Sequence, residues 1–262
     1  VAIGHCSLRA NTTASNNIAV GSLALNANTT GADNTAVGLC SLNANTTGVC
    51  NVAIGFRALK LNTTSSSNVA IGGNSLANNT AANNTAVGFS SLVANTTGTP
   101  NVAVGSNALC ANTTGTNNVA LGRSALKVNT TSSSNTAIGS FSLATNTGSN
   151  NTAVGRESLY SNTTATDNTA VGHCALASNT SGGNNNSFGS ISLNANTTGT
   201  NNVAMGNASL CGNTTGNCNV GIGRNALRCN TTNDLNVAVG FDSLCANTTG
   251  RENTAVGACS LK

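Results

Sequence analysis

The chain has 262 residues, of which 6% are charged and 2% aromatic, with no tryptophan, one proline and a formal net charge of +4. Its ten basic residues form no run that would make a patch for nucleic acid, and no apolar stretch approaches the roughly 18 residues that a membrane-spanning helix needs. The 39% hydrophobic content, mostly small aliphatic residues, also separates the chain from disordered proteins, which are usually charged and poor in aliphatics.

One unit is repeated sixteen times, and its period is seventeen residues. We number the positions from the asparagine that precedes each Ala-aliphatic-Gly motif. The first unit enters at position two with Val1, and the others begin at Asn17, Asn34, Asn51, Asn68, Asn84, Asn101, Asn118, Asn135, Asn151, Asn168, Asn185, Asn202, Asn219, Asn236 and Asn253. The units that begin at Asn68 and Asn135 have sixteen residues, because each lacks the second threonine of the Asn-Thr-Thr motif. A deletion tolerated at this one place indicates an exposed turn.

Invariant and variable positions separate clearly within the unit. Position five is always glycine, position nine is always leucine and position eight is always serine or alanine. Positions six, seven and ten hold residues as different as Arg156, Glu157, Phe56 and Lys127, so we expect these side chains to face solvent or a partner. The invariant positions are those that packing or turn geometry would dictate.

Short β-branched strings bounded by Gly and Asn-Thr-Thr turns predict strands and turns in alternation rather than helices. The fold class is therefore all-β, a parallel β-solenoid or β-roll with one seventeen-residue coil per repeat and about sixteen coils. We expect the aliphatic at position four and the leucine at position nine to point inward. The predicted core ladder consists of Leu25, Leu42, Leu59, Leu76, Leu92, Leu109, Leu126, Leu143, Leu159, Leu176, Leu193, Leu210, Leu227 and Leu244.

The asparagine of the Asn-Thr-Thr turn has two interpretations. Stacked asparagines can hydrogen-bond along a column as a buried ladder. The same tripeptide is also the acceptor sequence for N-glycosylation in secreted proteins. Both hypotheses concern Asn11, Asn28, Asn45, Asn62, Asn95, Asn112, Asn129, Asn162, Asn179, Asn196, Asn213, Asn230 and Asn247.

Residues that could support catalysis or bind a cofactor are few and scattered. The six acidic residues are scattered along the chain with no more than two in any unit, and the two histidine-cysteine pairs, at His5 and His173, are ten units apart. No phosphate-binding loop, Cys-x-x-Cys pattern or Asp-rich calcium repeat occurs. We therefore expect no enzyme activity, no cofactor and no metal site. The ten cysteines are either fillers in place of serine or partners in interchain disulfides.

Units such as Asn34-Thr35-Ala36-Val37-Gly38, followed by Ser41-Leu42, resemble the head repeats of trimeric autotransporter adhesins, with their Asn-Ser-Val-Ala-Ile-Gly-x-x-Ser core. They are still more similar to the Asn-Thr-Ala-Val-Gly repeats of phage and large-virus tail fibres. The resemblance covers the whole chain and implies a left-handed parallel β-roll, commonly trimeric, that serves as a stiff extracellular projection. The adhesin repeat is shorter and lacks the additional Asn-Thr-Thr-Gly turn.

The sequence therefore predicts a non-catalytic structural fibre or filament subunit on an extracellular, cell or virion surface. This would be a stiff rod or adhesin stalk whose Asn-Thr-Thr turns are candidate sites for glycans. Because the core is thin, we expect partners to be other copies of the chain, as a trimer or laterally packed filament. An alternative function is ice binding through the threonine column at position fourteen, which begins Thr13, Thr30, Thr47. Residues 1–262 are expected to form a single repeat array, a segment of a longer fibre without its capping repeats, since Val1 and Lys262 both match the repeat.

Overall fold

A computed structural model describes all residues from Val1 to Lys262 and is a parallel β-solenoid without helices. It divides into two compact units, Val1–Ser133 and Ser134–Lys262. Each contains eight short strands that pair in parallel with their sequence neighbours. The first unit contains β1 Ala2–Ile3, β2 Ile18–Val20, β3 Thr35–Val37, β4 Val52–Ile54, β5 Val69–Ile71, β6 Thr85–Val87, β7 Asn101–Val104 and β8 Asn118–Leu121. The second contains β9 Thr136–Ile138, β10 Thr152–Val154, β11 Thr169–Val171, β12 Asn186–Phe188, β13 Val203–Met205, β14 Val220–Ile222, β15 Val237–Val239 and β16 Thr254–Val256.

The pairing register equals the sequence period. Within β3 and β4, Thr35 pairs with Val52 and Val37 pairs with Ile54, so position two lies over position two and position four over position four. The strands keep this register at a sixteen-residue repeat as well. Thr85 pairs with Val69, which lies sixteen residues earlier. The missing residue is therefore absorbed in the turn. This confirms the predicted all-β solenoid with one coil per repeat.

The strand directs position three inward and positions two and four outward. The alanines at position three, such as Ala36 and Ala103, are fully buried. The expectation that position four points inward is wrong: Ile54 is 37% exposed and Met205 is 44% exposed. Successive strand residues face opposite sides, so position three is the one that points inward. A Cβ atom added to Gly221 at this position would already lie 2.6 Å from Ser209 Oγ and 3.2 Å from Leu210 Cγ, so only a small side chain such as alanine or serine fits there. The position-four side chains therefore form an aliphatic column on the outer face of the sheet in each of the two compact units.

The leucines at position nine form the interior column. All fourteen predicted core leucines are buried, and Leu244, the most exposed of them, shows only 4% of its surface. Alanine or serine at position eight, including Ala108 and Ser142, is buried beside them. Each coil thus contributes one large apolar side chain and two small ones, and these pack against the same side chains of the neighbouring coils.

Position five requires glycine. Its φ angle lies between 123° and 142° in every coil, a region that side chains rarely adopt. A Cβ atom added to Gly105 would also lie 2.6 Å from the backbone of Gly122 in the next coil. Both the backbone conformation and the distance between coils exclude any larger residue.

Other residues adopt the left-handed region although they are not glycine. The φ angle is 48° to 53° at every position-nine leucine and 52° to 60° at position seven. Such angles are uncommon for residues with a Cβ atom. They are maintained by bonds between coils: the Asn107 N–H donates to Phe89 O at 2.9 Å, and the Leu109 N–H donates in the opposite direction to Ala125 O at 2.9 Å. The left-handed residues thus turn the chain while directing their backbone donors along the stack.

Candidate functional site

Two asparagine columns converge on one backbone carbonyl in the full-length coils. In the coil that begins at Asn101, the side-chain amides of Asn101 and Asn112 both donate to Gly115 O, at 2.9 and 3.1 Å. The same Asn112 amide donates to Asn95 Oδ1 in the preceding coil at 2.8 Å. The Asn101 N–H donates to Asn84 Oδ1 at 2.9 Å. These bonds close each coil and join it to its neighbour, which confirms the asparagine ladder.

The ladder is interrupted at the shortened coils. Asn79, which has one threonine fewer after it, donates to Ala81 O at 2.6 Å and accepts from Asn95 Nδ2 at 2.7 Å. The preceding Asn62 Oδ1 is buried and has no hydrogen-bond partner. The corresponding oxygen of Asn129 is the other buried side-chain oxygen without a partner. A buried acceptor left unpaired costs roughly 1 to 3 kcal/mol, so each shortened coil carries a local defect.

Burial of the ladder bears directly on the thirteen acceptor sequences. The asparagines of these sequences are all fully buried except Asn11 and Asn247, which are half-buried near the two termini of the chain. In the interior of the ladder, the Nδ2 atom to which a glycan would attach already donates two hydrogen bonds, as at Asn45. Glycosylation at these residues stays a prediction, and the geometry favours the ladder.

Sequence reasoning missed four other acceptor sequences whose asparagines are exposed. They lie outside the Asn-Thr-Thr column, in Asn-Asn-Thr or Asn-Ala-Ser contexts, and were hidden by the stronger periodic signal. These residues are Asn78, Asn83, Asn150 and Asn207.

The threonines of the turn divide into two classes. At position thirteen, the hydroxyl donates to the backbone of the next coil, as Thr113 Oγ1 does to Thr130 O at 3.1 Å. At position fourteen, the side chains of Thr47, Thr97 and Thr114 are exposed. The position-fourteen column is absent from the two shortened coils.

The cysteines are all free thiols. Cys245 is buried, Cys50, Cys218 and Cys259 are exposed, and the other six are half-buried. Burial raises the pKa of the Cys110 and Cys211 thiols.

Stacking brings together one cluster of potential metal ligands. Glu157 and Cys174 both occupy position seven in consecutive coils, and His173 precedes Cys174. Cys174 Sγ lies 3.6 Å from Glu157 Oε2 and 3.4 Å from His173 Nε2. Glu157 Oε1 accepts a charged hydrogen bond from Arg156 at 2.7 Å.

The charges around this cluster act in opposite directions on its two acids. The hydrogen bond from Arg156 holds the pKa of the Glu157 carboxyl below its ordinary value. Burial, followed by the hydrogen bond to Glu157, raises the pKa of the Cys174 thiol. The carboxylate is therefore the acceptor and the thiol the donor.

No pocket and no long apolar helix of the kind that crosses a bilayer are present. Comparisons of the chain with models of known families, with characterised proteins and with solved structures returned no match.

Proposed function

We propose that the chain is a non-catalytic structural fibre or filament subunit that assembles with copies of itself on an extracellular, cell or virion surface. The observation that carries this proposal is the assignment of its invariant residues. Glycine, leucine and both asparagines are used in bonding one coil to the next, and the variable residues face outward. A chain organised in this way extends by repetition.

The outward sheet face supports self-association. Positions two and four place Val102 and Val104 in β7, and Thr152 and Val154 in β10, on the solvent side, and each of these residues is at least partly exposed. The same arrangement recurs from strand to strand within each unit. Contiguous exposed apolar surface of this kind is typical of protein interfaces. Another copy of the same face, with its own aliphatic column, is a chemically matched partner.

Sedimentation of the purified chain tests this proposal. We expect the native chain to sediment as a trimer or larger assembly. Val104→Lys, at position four, should shift it towards monomer, because a buried unpaired charge at an interface is costly. Thr114→Lys, an exposed position-fourteen residue on the turn, is the matched control and should leave assembly unchanged. A native chain that remains monomeric at all concentrations would contradict self-association.

A second candidate function is ice binding. It is favoured by the exposed position-fourteen threonines, including Thr47, Thr97 and Thr114. They recur in every full-length coil except the one with Ser181, at a spacing of about 4.8 Å between adjacent coils. A regular array of hydroxyls and methyls on a stiff support is the type of surface that can order water. Thermal hysteresis in the native chain, reduced by combined lysine substitution of Thr97 and Thr114, would support this function. A native chain without hysteresis would exclude it.

A further inference from the structure

We propose that Glu157, His173 and Cys174 form a binding site for a divalent cation with the ligand preference of zinc. The three ligand atoms come from two consecutive coils and all lie within 4.8 Å of one another. The stacking of position seven on position seven is what brings the carboxylate to the histidine-cysteine pair.

The distances match those of a tetrahedral zinc site. With Zn–S of about 2.3 Å and Zn–N or Zn–O of about 2.1 Å, tetrahedral geometry separates sulfur from its neighbouring ligand atoms by about 3.6 Å. Cys174 Sγ lies 3.4 Å from His173 Nε2 and 3.6 Å from Glu157 Oε2. Two of the three distances between ligand atoms therefore already match this geometry. The third distance, between the ligand atoms of His173 and Glu157, is no more than 4.8 Å, and the His173 side chain is exposed.

The donor set also fits this class of metal. Zinc accepts thiolate, imidazole and carboxylate ligands together, whereas calcium and magnesium prefer oxygen alone. On binding, Cys174 Sγ releases its proton to solvent and forms the S–metal bond. His173 uses the Nε2 lone pair, and Glu157 uses Oε2. The thiolate and carboxylate together balance the charge of the ion, and solvent can fill the fourth position because His173 is exposed.

Arg156 positions the carboxylate. Its guanidinium holds Glu157 Oε1 at 2.7 Å, which leaves Oε2 directed towards Cys174. A hydrogen bond to the distal oxygen of a metal-binding carboxylate is a common supporting interaction at such sites. Arg156 carries a positive charge that repels the cation, but it also orients Glu157, one of the proposed ligands.

The first coil provides an internal comparison. His5 Nε2 lies 3.6 Å from Cys6 Sγ, so the local histidine-cysteine geometry is repeated there. Position seven of the adjacent coil is Leu23, which supplies no ligand. The His5-Cys6 pair is consequently a two-ligand control within the same chain.

Calorimetric titration of the full chain with Zn²⁺ alone tests the proposal. We expect one tight site per chain, weakened at least about tenfold by Cys174→Ser and by Glu157→Gln, and unchanged by Cys6→Ser. Co²⁺ should produce thiolate-to-metal absorption in the native chain and in Cys6→Ser but not in Cys174→Ser. Circular dichroism establishes that each variant is folded, and all three substitutions lie at solvent-facing positions.

Two results would overturn the site. One is equal Zn²⁺ affinity in the native chain and Cys174→Ser. The other is a loss in Cys6→Ser as large as that in Cys174→Ser, which would assign the binding to surface thiols in general. Loss in Cys174→Ser with no effect of Glu157→Gln would overturn the three-ligand assignment, because the carboxylate is what distinguishes this pair from His5-Cys6.

Discussion

The Asn112 side-chain amide donates to Asn95 Oδ1 at 2.8 Å, and the two residues are seventeen positions apart in the chain. This spacing equals the length of the repeat, so each asparagine in the ladder contacts the equivalent asparagine in the next coil. The buried amides are thereby satisfied without any additional type of side chain. A polar interior is tolerated here because it is repeated in register.

The φ angle of 51° at Leu109 predicts an unusual sensitivity to branching at Cβ. Leu109→Ile keeps the side-chain volume but places a β-branched residue in the left-handed region, where it is a steric outlier. We expect a loss of about 2 kcal/mol or more in the free energy of unfolding. Leu109→Met is the control and should cost less than about 1.5 kcal/mol. Urea denaturation followed by circular dichroism measures both, and equal costs would contradict the backbone explanation.

Two glycines allow a direct comparison of position five with a variable position. In Gly105→Ala, the new Cβ would lie 2.6 Å from the Gly122 backbone and φ would be strained, so we expect destabilisation of about 2 kcal/mol or more. In Gly73→Ala, the nearest atom is 3.4 Å away in the Phe89 ring, and stability should change by less than about 0.5 kcal/mol. Thermal unfolding of the two variants distinguishes them. A tolerated Gly105→Ala would show that the coils can separate locally.

Restoring the length of a shortened coil should repair the ladder. Insertion of a threonine between Thr80 and Ala81 recreates the full turn, and we expect Asn79 Nδ2 then to reach the unpaired Asn62 Oδ1. The gain in stability should be about 1 kcal/mol, the usual net contribution of a buried hydrogen bond.

The matched control for this insertion is an additional threonine after Thr114, in a coil of normal length. That insertion forces a bulge and should destabilise the chain. Chemical denaturation gives both values. If the two insertions have the same effect, the missing residue is not the cause of the ladder defect.

Glycan mapping separates the ladder asparagines from the exposed ones. When the chain is produced in a glycosylating secretory pathway, we expect the folded fraction to carry glycans only at exposed acceptors such as Asn78 and Asn207. A glycan on Asn112 would remove one of its two donated hydrogens and place a sugar inside the stack. Mass spectrometry of peptides from the folded fraction provides the test. Occupied Asn112 in folded protein would refute the buried ladder.

The period of the sequence is sufficient to predict the architecture. A leucine and a glycine that recur in every repeat, such as Leu109 and Gly105, leave few alternatives to stacked coils. It could not decide which strand residue points inward. Ala103 and Val104 are both apolar, and the answer depends on how little room the side chains at positions eight and nine leave inside the coil. Nor could it predict a left-handed leucine, since leucine has no preference for that region.

The ligand cluster was accessible to sequence reasoning but was missed. Glu157 and Cys174 share position seven in consecutive units, and their proximity follows as soon as the period is applied to the variable residues. The orientation of Glu157 by Arg156, by contrast, depends on side-chain conformation and required the structure.

In-register stacking also determines where mutations interact. A substitution at Glu157 changes the environment of Cys174, which contacts it from the next coil although it lies seventeen residues away in the chain. Natural variants of this protein should therefore show correlated substitutions separated by one period, as neighbouring coils adapt to each other. Libraries intended to graft a new chemical group onto the surface are best built by varying such vertical pairs together.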